Sequence, residues 1–269
     1  MKTMKALLHA SLGPALLVLA CLLFFPGPTP GAQARTGVDD MIAPDNRTVL
    51  ITGANRGLGL EFARQYAKAG WTVIGTARNP ETAAELNQLA AKVMQLDVTD
   101  PASVDRLAQD LAGTAIDLLI NNAGIQPLMW TLAELDFDAY EQALAVNTMG
   151  PVRVTHALLP QLRSGKLRRI VNITTNLSSI ADNKDGGFYG YRESKTALNM
   201  FTRSLAAELG PEGFICIVLH PGWVQTDLGG PQAPLQADES VRGMRDVIDR
   251  LAPADNGTFR THAGEQMAW

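Results

Sequence analysis

The stretch "TVLITGANRGLG", residues 48–59, decides the fold class of this 269-residue chain. It begins as a short run of β-branched and aliphatic residues, which is typical of a buried strand, and passes into a loop with glycines at 53, 57 and 59. Glycines between a strand and a helix allow a tight turn and let a phosphate approach the N–H groups of the helix N-terminus. The stretch therefore predicts the first strand, loop and helix of a nucleotide-binding sheet.

From residue 44 onward, short apolar runs alternate with helical stretches, which is the pattern of a parallel sheet covered by helices on both faces. The predicted strands are 48–52, 72–77, 92–97, 117–121, 169–174 and 215–220. The predicted helices are 58–69, 80–91, 101–112, 137–162, 191–209 and 239–251. Because 46% of the residues are apolar, the chain can bury one sizeable core. We predict a single doubly wound α/β domain of the Rossmann type over residues 44–269.

Residues 1–34 have the pattern of a secretory signal peptide or a membrane anchor. Two lysines precede a leucine-rich run, residues 6–25, and small residues that suit a cleavage site follow it. Residues 35–43 would then form a linker. The alternative is that translation starts at Met41 and the preceding segment is never made. A start at Met1 predicts an exported or membrane-associated protein, whereas a start at Met41 predicts a cytoplasmic one.

The composition excludes several classes of function. The chain has a formal net charge of −4 and no basic stripe of the kind that binds a phosphate backbone. We therefore expect no nucleic-acid partner. Two cysteines make a disulfide framework improbable. The four histidines show no metal-ligand spacing, and we predict no metal site.

The end of the second predicted strand bears on the type of cofactor. An NAD site usually carries a carboxylate there, whereas an arginine accommodates the 2′-phosphate of NADP. The sequence "GTARNP", residues 75–80, contains no acid and places Arg78 just after the strand, while Arg56 lies in the glycine loop. Guanidinium groups match phosphate geometry, so this pair favours NADP(H) over NAD(H). Two solvated surface arginines are the alternative interpretation.

A tyrosine and a lysine lie four residues apart in "YGYRESKTALNM", residues 189–200, which we predict to be helical. Tyr191 and Lys195 therefore project from one face of the helix. A phenol with a reference pKa of about 10 is a poor proton donor or acceptor at neutral pH unless a positive charge lowers that pKa. Lys195 can provide this charge, although the same spacing also arises by coincidence on solvated helices.

Together these residues resemble the short-chain dehydrogenase/reductase family over nearly all of residues 46–269. The resemblance rests on the glycine loop, "LDV" at 96–98, "NNAG" at 121–124, Asn147 in "AVNTMGP", the Tyr191 and Lys195 pair, and "HPGWVQTD" at 220–227. Within the family, the chain is similar to the branch of sniffer-type carbonyl reductases and C-factor proteins.

The resemblance implies a role for each matching residue. The implied catalytic residues are Tyr191, Lys195, Asn147 and Thr175. The implied cofactor-binding residues are Gly53, Asn55, Arg56, Gly57, Leu58, Gly59, Arg78, Asp97, Val98, Asn122, Ala123, Gly124, Tyr191, Lys195, Pro221, Gly222, Val224 and Thr226. The implied activity is NADPH-dependent reduction of a small aldehyde or ketone, reversible with the alcohol. A signalling or sensor protein that binds the dinucleotide without catalysis is the alternative, and the family's usual pairing through its fifth and sixth helices suggests a homodimer.

Two rules disagree on the hydroxyl that assists Tyr191. In the family this hydroxyl is the second residue after the "NI" of the fifth strand, which is Thr175 here, where the family normally has serine. The family's spacing to the tyrosine instead fits Ser178. Because strand register is rigid and loops accept insertions at small cost, the turn-rich loop 182–187 could absorb the difference. We therefore favour Thr175 and keep Ser178 as the alternative.

Overall fold

The computed structural model describes residues 47–269, and its central feature is a parallel β-sheet. The strands are β1 (Thr48–Ile51), β2 (Thr72–Ala77), β3 (Lys92–Gln95), β4 (Leu118–Asn121), β5 (Arg169–Ile173), β6 (Ile215–His220) and β7 (Phe259–Thr261). Their order across the sheet is β3-β2-β1-β4-β5-β6-β7, and every neighbouring pair is parallel. The order reverses between β1 and β4, which opens a crevice at the carboxyl ends of these strands. This topology confirms the predicted doubly wound α/β fold.

Helices cover both faces of the sheet. They are α1 (Gly57–Lys68), α2 (Ala84–Leu89), α3 (Pro101–Asp110), α4 (Phe137–Leu144), α5 (Gly150–Ala157), α6 (Leu159–Ser164), α7 (Tyr191–Leu209) and α8 (Ala237–Asp249). A π-helical segment, Ala145–Met149, joins α4 to α5. Short 3₁₀ turns occur at Pro80–Thr82, Leu132–Glu134, Asn176–Ser178, Gly210–Glu212 and Pro253–Asp255. Among residues 47–269, no helix has both the length and the apolar character needed to span a membrane.

The side chains of β1 explain why the sheet is buried on both sides. Val49 and Ile51 point to one face, where they join a core formed with α1 and α8. Leu50 points to the other face and joins a core formed with α3, α5, α6 and α7. Successive side chains of a strand alternate between faces, so a strand with a core on each side reads as a continuous apolar run.

All six predicted strands are confirmed, and β7 is a seventh that the sequence did not indicate. It pairs with β6 through Val218 and Phe259 and is only three residues long. So short a segment carries no measurable alternation of apolar and polar residues. Its pairing with β6 extends the sheet at one edge.

Two predicted helices are interrupted. The helix expected at 80–91 is instead a 3₁₀ turn followed by the short α2. The helix expected at 137–162 is divided by the π-helical segment and again at Leu158, which leaves helical geometry with φ −92° and ψ 5° two residues before Pro160. A proline lacks the N–H that a continuous helix needs, which accounts for the second break.

The expectations for residues 1–34 and 35–43, and for a start at Met41, concern residues outside the part of the chain that the structure describes.

Candidate active site

The glycine loop between β1 and α1 has the shape of a phosphate cradle. Gly53 and Gly57 adopt left-handed backbone conformations, with φ 63° and 53°. A Cβ on Gly59 would overlap the carbonyl oxygen of Gly53, so a side chain has no room there. Asn55 and Arg56 are exposed beside the helix N-terminus. The loop thus exposes backbone N–H groups at the crevice and fits the pyrophosphate of a dinucleotide.

The loop after β4 is tied to the glycine loop by hydrogen bonds. The Asn122 side chain donates to the carbonyls of Thr52 and Gly53 at 3.0 and 3.1 Å. In return, the Thr52 hydroxyl accepts the N–H groups of Asn122 and Ala123, both at 3.0 Å. The predicted residue Asn122 therefore fixes the separation of the two loops. Thr52 shares this role, and its place at a strand end gave no signal in the sequence.

The carboxyl ends of β2 and β3 form the far side of the crevice. Arg78 is exposed there, and its charge contributes to lowering the pKa of Asp97, after the larger effect of the Thr99 hydroxyl. Asp97 accepts hydrogen bonds from the Thr99 N–H and hydroxyl at 2.8 and 2.6 Å. Val98 is buried against Gly150, at the start of α5. A basic group thus lies next to Asp97, one of the predicted cofactor-binding residues.

Tyr191, the first residue of α7, is the central titratable group of the crevice. Its side chain is 7% exposed, and this burial raises the pKa of the phenol to about 12, while a hydrogen bond with the Thr175 hydroxyl acts to lower it. The residue before it, Gly190, has φ 77° and donates its N–H to the carboxylate of Glu193 at 2.6 Å. The start of the helix is thereby fixed where the phenol meets Thr175.

The four hydroxyls after β5 have different surroundings. The Ser178 hydroxyl is fully buried, donates to the carbonyl of Thr175, and accepts from the Asn199 side chain at 2.9 Å. Thr174 donates to the Asn199 side-chain oxygen at 2.8 Å, and Ser179 is 3.2 Å from the Asp182 carboxylate. The structure therefore places Thr175, and not Ser178, beside the Tyr191 phenol.

Lys195 lies one helical turn after Tyr191 and is buried. Its ammonium group donates to the carbonyl of Ile173 at 2.8 Å, and burial lowers its pKa to about 8. The sequence led us to expect that the Lys195 charge would lower the Tyr191 pKa. In the structure the groups that shift that pKa are the apolar surroundings and Thr175, because the ammonium is directed toward the strand carbonyl.

Asn147 lies within the π-helical segment, and its side chain makes three hydrogen bonds. It accepts the N–H of Ile125 at 2.9 Å and donates to the Ile125 carbonyl at 2.8 Å and to the Ser194 hydroxyl at 3.0 Å. A Cβ on Gly124 would lie 3.2 Å from the Asn147 side-chain oxygen and 3.4 Å from the Lys195 nitrogen. Asn147 and Lys195 thus converge on Gly124, where a side chain would obstruct the crevice.

The loop after β6 closes the remaining side of the crevice. Gly222 has φ 84°, Val224 is buried and bridges to Leu235, and the Pro221 carbonyl accepts the Ser240 hydroxyl at 2.6 Å. Thr226 faces the glycine loop, since a Cβ on Gly57 would lie 3.5 Å from its methyl group. Of the four predicted residues of this loop, Thr226 is the one that these distances place beside the glycine loop.

Three further residues belong to the site and were missed. Ser194 links Asn147 to the backbone of Tyr191, whose carbonyl accepts its hydroxyl at 2.9 Å. Its position one residue before Lys195 could have indicated this. Thr52 accepts the N–H groups that tie the loop after β4 to the glycine loop. Asp227 pairs with Arg56 across the crevice, and no local pattern predicts a pair 171 residues apart.

This arrangement defines an α/β oxidoreductase with a crevice for a nicotinamide dinucleotide. The family model described as "short chain dehydrogenase" matches residues 47–236. The chain belongs to this family and is an NAD(P)-dependent oxidoreductase of its sniffer-like and C-factor-like branch.

Individual relatives are similar over much of the chain. C-signal of Myxococcus xanthus is 50% identical over 154 residues, which cover 57% of this chain and 93% of that protein. The carbonyl reductase Sniffer of D. melanogaster superimposes with a TM-score of 0.79 at 35% identity, covering 83% of this chain and 100% of the other. An NADPH-bound carbonyl reductase from chicken fatty liver gives a TM-score of 0.77 at 36% identity. The match covers 83% of this chain and 99% of that reductase.

Proposed function

We propose that this chain is an NADPH-dependent reductase of small aldehydes and ketones that also oxidises the corresponding alcohols. The observation that carries the proposal is the contact between the buried Tyr191 phenol and the Thr175 hydroxyl, beside the buried ammonium of Lys195. These groups lie at the crevice that the glycine loop opens. Their chemistry suits a substrate oxygen that takes up a proton as its carbon accepts a hydride.

NADPH, when bound in the crevice, would supply the hydride for this reaction. Tyr191 donates its phenolic proton to the carbonyl oxygen, as a general acid. Because the pKa of the buried phenol is raised to about 12, the residue is protonated at neutral pH and ready to donate. Thr175 donates a hydrogen bond to the same oxygen and holds it close to the phenol.

Lys195 and Asn147 return the proton to Tyr191 in this proposal. A pKa of about 8 lets the Lys195 ammonium release and regain a proton near neutral pH. Asn147, in the π-helical segment, would anchor a water that links Lys195 to solvent. The closeness of both side chains to Gly124 supports this assignment.

The preference for NADP(H) rests on charge. Arg78 and Arg56 are both exposed at the rim of the crevice, and the three residues directly after β2, residues 78–80, include no carboxylate. The similarity to an NADPH-bound carbonyl reductase supports the same preference. The remaining proposed contacts with the cofactor come from the glycine loop, the loop after β4 and the loop after β6.

A signalling protein that binds the dinucleotide without useful catalysis is the second candidate. The 50% identity to C-signal favours it, as does threonine in place of the family's serine at position 175. The retained set of Tyr191, Lys195 and Asn147 favours the enzyme, because a binding module has no need of a proton relay.

One experiment separates the two candidates. The purified protein is titrated with NADPH, and NADPH oxidation is then followed with a panel of small aldehydes and ketones. We expect both binding and turnover. Tight binding with no turnover across the panel would favour the signalling candidate, and absence of both would contradict the two together.

We also propose a homodimer. Phe137, Met149 and Met200 expose apolar side chains on the neighbouring segments α4, Ala145–Met149 and α7. Burial of such a surface against a second copy would remove it from water. Light scattering on the purified protein should give twice the mass of one chain, and the mass of a single chain would contradict the proposal.

A further inference from the structure

An exposed ion pair crosses the cofactor crevice. The Arg56 guanidinium lies 3.0 Å from the Asp227 carboxylate, and the two side chains are 66% and 78% exposed. Arg56 is the residue that precedes α1, and Asp227 follows Thr226 in the loop after β6. The pair therefore connects the phosphate cradle to the opposite wall of the crevice.

The N-terminus of α1, next to Arg56, is a region where negative charge is favoured. The first turn of α1 contains no acidic residue, and no side chain caps its N-terminus. The positive end of the helix dipole and its free N–H groups attract negative charge. Thr226, the residue before Asp227, faces the glycine loop, since a Cβ on Gly57 would lie 3.5 Å from its methyl group. The ion pair therefore occupies a guanidinium group that we assign to the 2′-phosphate, which NADPH carries and NADH lacks.

Arg56 consequently has two competing partners. It is one of the two guanidinium groups that we assign to the 2′-phosphate, and in the structure it is held by Asp227. A phosphate binds a guanidinium more strongly than a carboxylate in an exposed pair does, because the phosphate brings more charge and more acceptor oxygens. NADH carries a hydroxyl at this position and gains little by releasing Arg56.

We propose that Asp227 is a specificity-determining residue that holds Arg56 in the free protein and lowers the affinity for NADPH relative to NADH. NADPH binding then exchanges one ionic partner of Arg56 for another. This inference rests on the proposed function, since it requires the 2′-phosphate to bind at Arg56. The effect of Asp227 on NADPH affinity is modest, because exposed ion pairs are weak. We expect it to change the NADPH dissociation constant by a factor of about two to five.

The test is the variant Asp227→Asn, which removes the charge and keeps the shape of the side chain. Dissociation constants of the full chain for NADPH and for NADH are measured by calorimetry. We expect the NADPH constant to fall about two- to fivefold and the NADH constant to stay unchanged. The inference would be overturned if both dissociation constants fell alike, if neither changed, or if the NADPH constant rose.

A matched control is available near the amino end of β6, whereas Asp227 lies in the loop after the carboxyl end of that strand. Glu212, in the 3₁₀ turn before β6, pairs with Arg163 through two contacts of 2.7 Å. Glu212→Gln removes the same charge from an exposed pair and should alter neither dissociation constant. Equal tightening in this control would show that net charge alone is responsible and would contradict a specific role for Asp227.

The variants Arg56→Gln and Arg56→Gln/Asp227→Asn complete the experiment. If Asp227 acts by holding Arg56, then Asp227→Asn has no effect on NADPH affinity once Arg56 is absent. The same gain in both backgrounds would mean that the carboxylate repels the phosphate directly, which overturns the exchange. A wild-type protein that does not bind NADPH would instead contradict the proposed function, so the two failures are distinguishable.

Discussion

At the scale of single residues, the site depends on which hydroxyl reaches Tyr191. Thr175 contacts the phenol, whereas Ser178 is fully used in a buried network with Asn199. The contacts thus separate the two rules that compete in the sequence. The Ser178 hydroxyl has three buried partners and is costly to redirect. These partners are the Thr174 hydroxyl, the Thr175 carbonyl and the Asn199 side chain. The burial that surrounds Tyr191 and Lys195 shifts the pKa of each group.

The first prediction concerns the proton donor. Tyr191→Phe removes the phenolic hydroxyl and keeps the ring, so we expect kcat to fall by roughly a hundred- to ten-thousandfold, the usual contribution of a general acid. NADPH affinity should change little, because the proposed phosphate contacts are elsewhere. Steady-state kinetics and a binding titration check both. Loss of cofactor binding would contradict the assignment.

The second prediction separates Thr175 from Ser178. Thr175→Val deletes the hydroxyl at nearly constant shape and should reduce kcat about a hundredfold. Ser178→Ala should keep most of the activity but lower the free energy of unfolding by about 1–3 kcal/mol, since it leaves the buried Asn199 amide without a partner. Kinetics and denaturant unfolding of each variant test this. A large loss of kcat in Ser178→Ala, with activity retained in Thr175→Val, would instead assign the assisting hydroxyl to Ser178.

The third prediction concerns pH. Burial lowers the pKa of Lys195 to about 8, so the ammonium form that resupplies the proton is present below that value and lost above it. The rate of carbonyl reduction should therefore be level at lower pH and fall as the pH rises through about 8. Lys195→Arg keeps a permanent charge and should show no such inflection. An inflection that persists in Lys195→Arg would assign it to another group.

At the scale of secondary-structure elements, the breaks in helices and the loops after strands carry several of the proposed site residues. The π-helical segment Ala145–Met149 breaks a predicted helix and carries Asn147 into the crevice. Such single-turn insertions are uncommon and often mark functional positions. The loops after β2 and β6 carry Arg78 and Asp227, respectively. Cofactor choice is therefore a property of loops that follow strands.

The fourth prediction tests the loop after β2. Arg78→Asp replaces a phosphate partner with a carboxylate suited to a ribose hydroxyl. We expect the ratio of NADPH to NADH affinity to fall about 10- to 100-fold, the range for loss of a charge-assisted hydrogen bond. Arg250→Asp, at the end of α8, changes the net charge equally and should leave the ratio unaltered. An unchanged ratio in Arg78→Asp would contradict the 2′-phosphate assignment.

At the scale of the whole molecule, the compartment is a prediction from the pattern of residues 1–41. A leucine-rich run before "AQA" at 32–34 favours an exported protein, while Met41 offers a cytoplasmic start. Export would separate the enzyme from the cytosolic supply of NADPH that the proposed reaction uses. The start of the chain therefore bears directly on how the reaction is supplied.

The fifth prediction is that the native protein begins at Arg35, after removal of the first 34 residues. N-terminal sequencing of protein from its natural source gives the answer. A chain that begins at Met41 would contradict export and indicate a cytoplasmic enzyme. Separation of the soluble and membrane fractions distinguishes a cleaved signal from a retained anchor.

The sequence by itself determined the parallel sheet, the glycine loop, and the helix that carries Tyr191 and Lys195. Each of these rests on local features: apolar runs, glycines next to a strand, and a spacing of four residues on one helix. It did not reveal β7 or the π-helical segment, because three residues carry no periodicity and a single inserted turn leaves the apolar pattern nearly intact.

Only the tertiary structure decided which hydroxyl meets the phenol and which carboxylate meets Arg56. The Thr175 contact depends on how the loop between β5 and α7 folds back, and the Arg56 and Asp227 pair joins residues 171 positions apart. Contacts of this kind form when the carboxyl ends of parallel strands are brought to one edge of the sheet. The sequence names the residues at each strand end, but their partners are set by the packing of loops from distant parts of the chain.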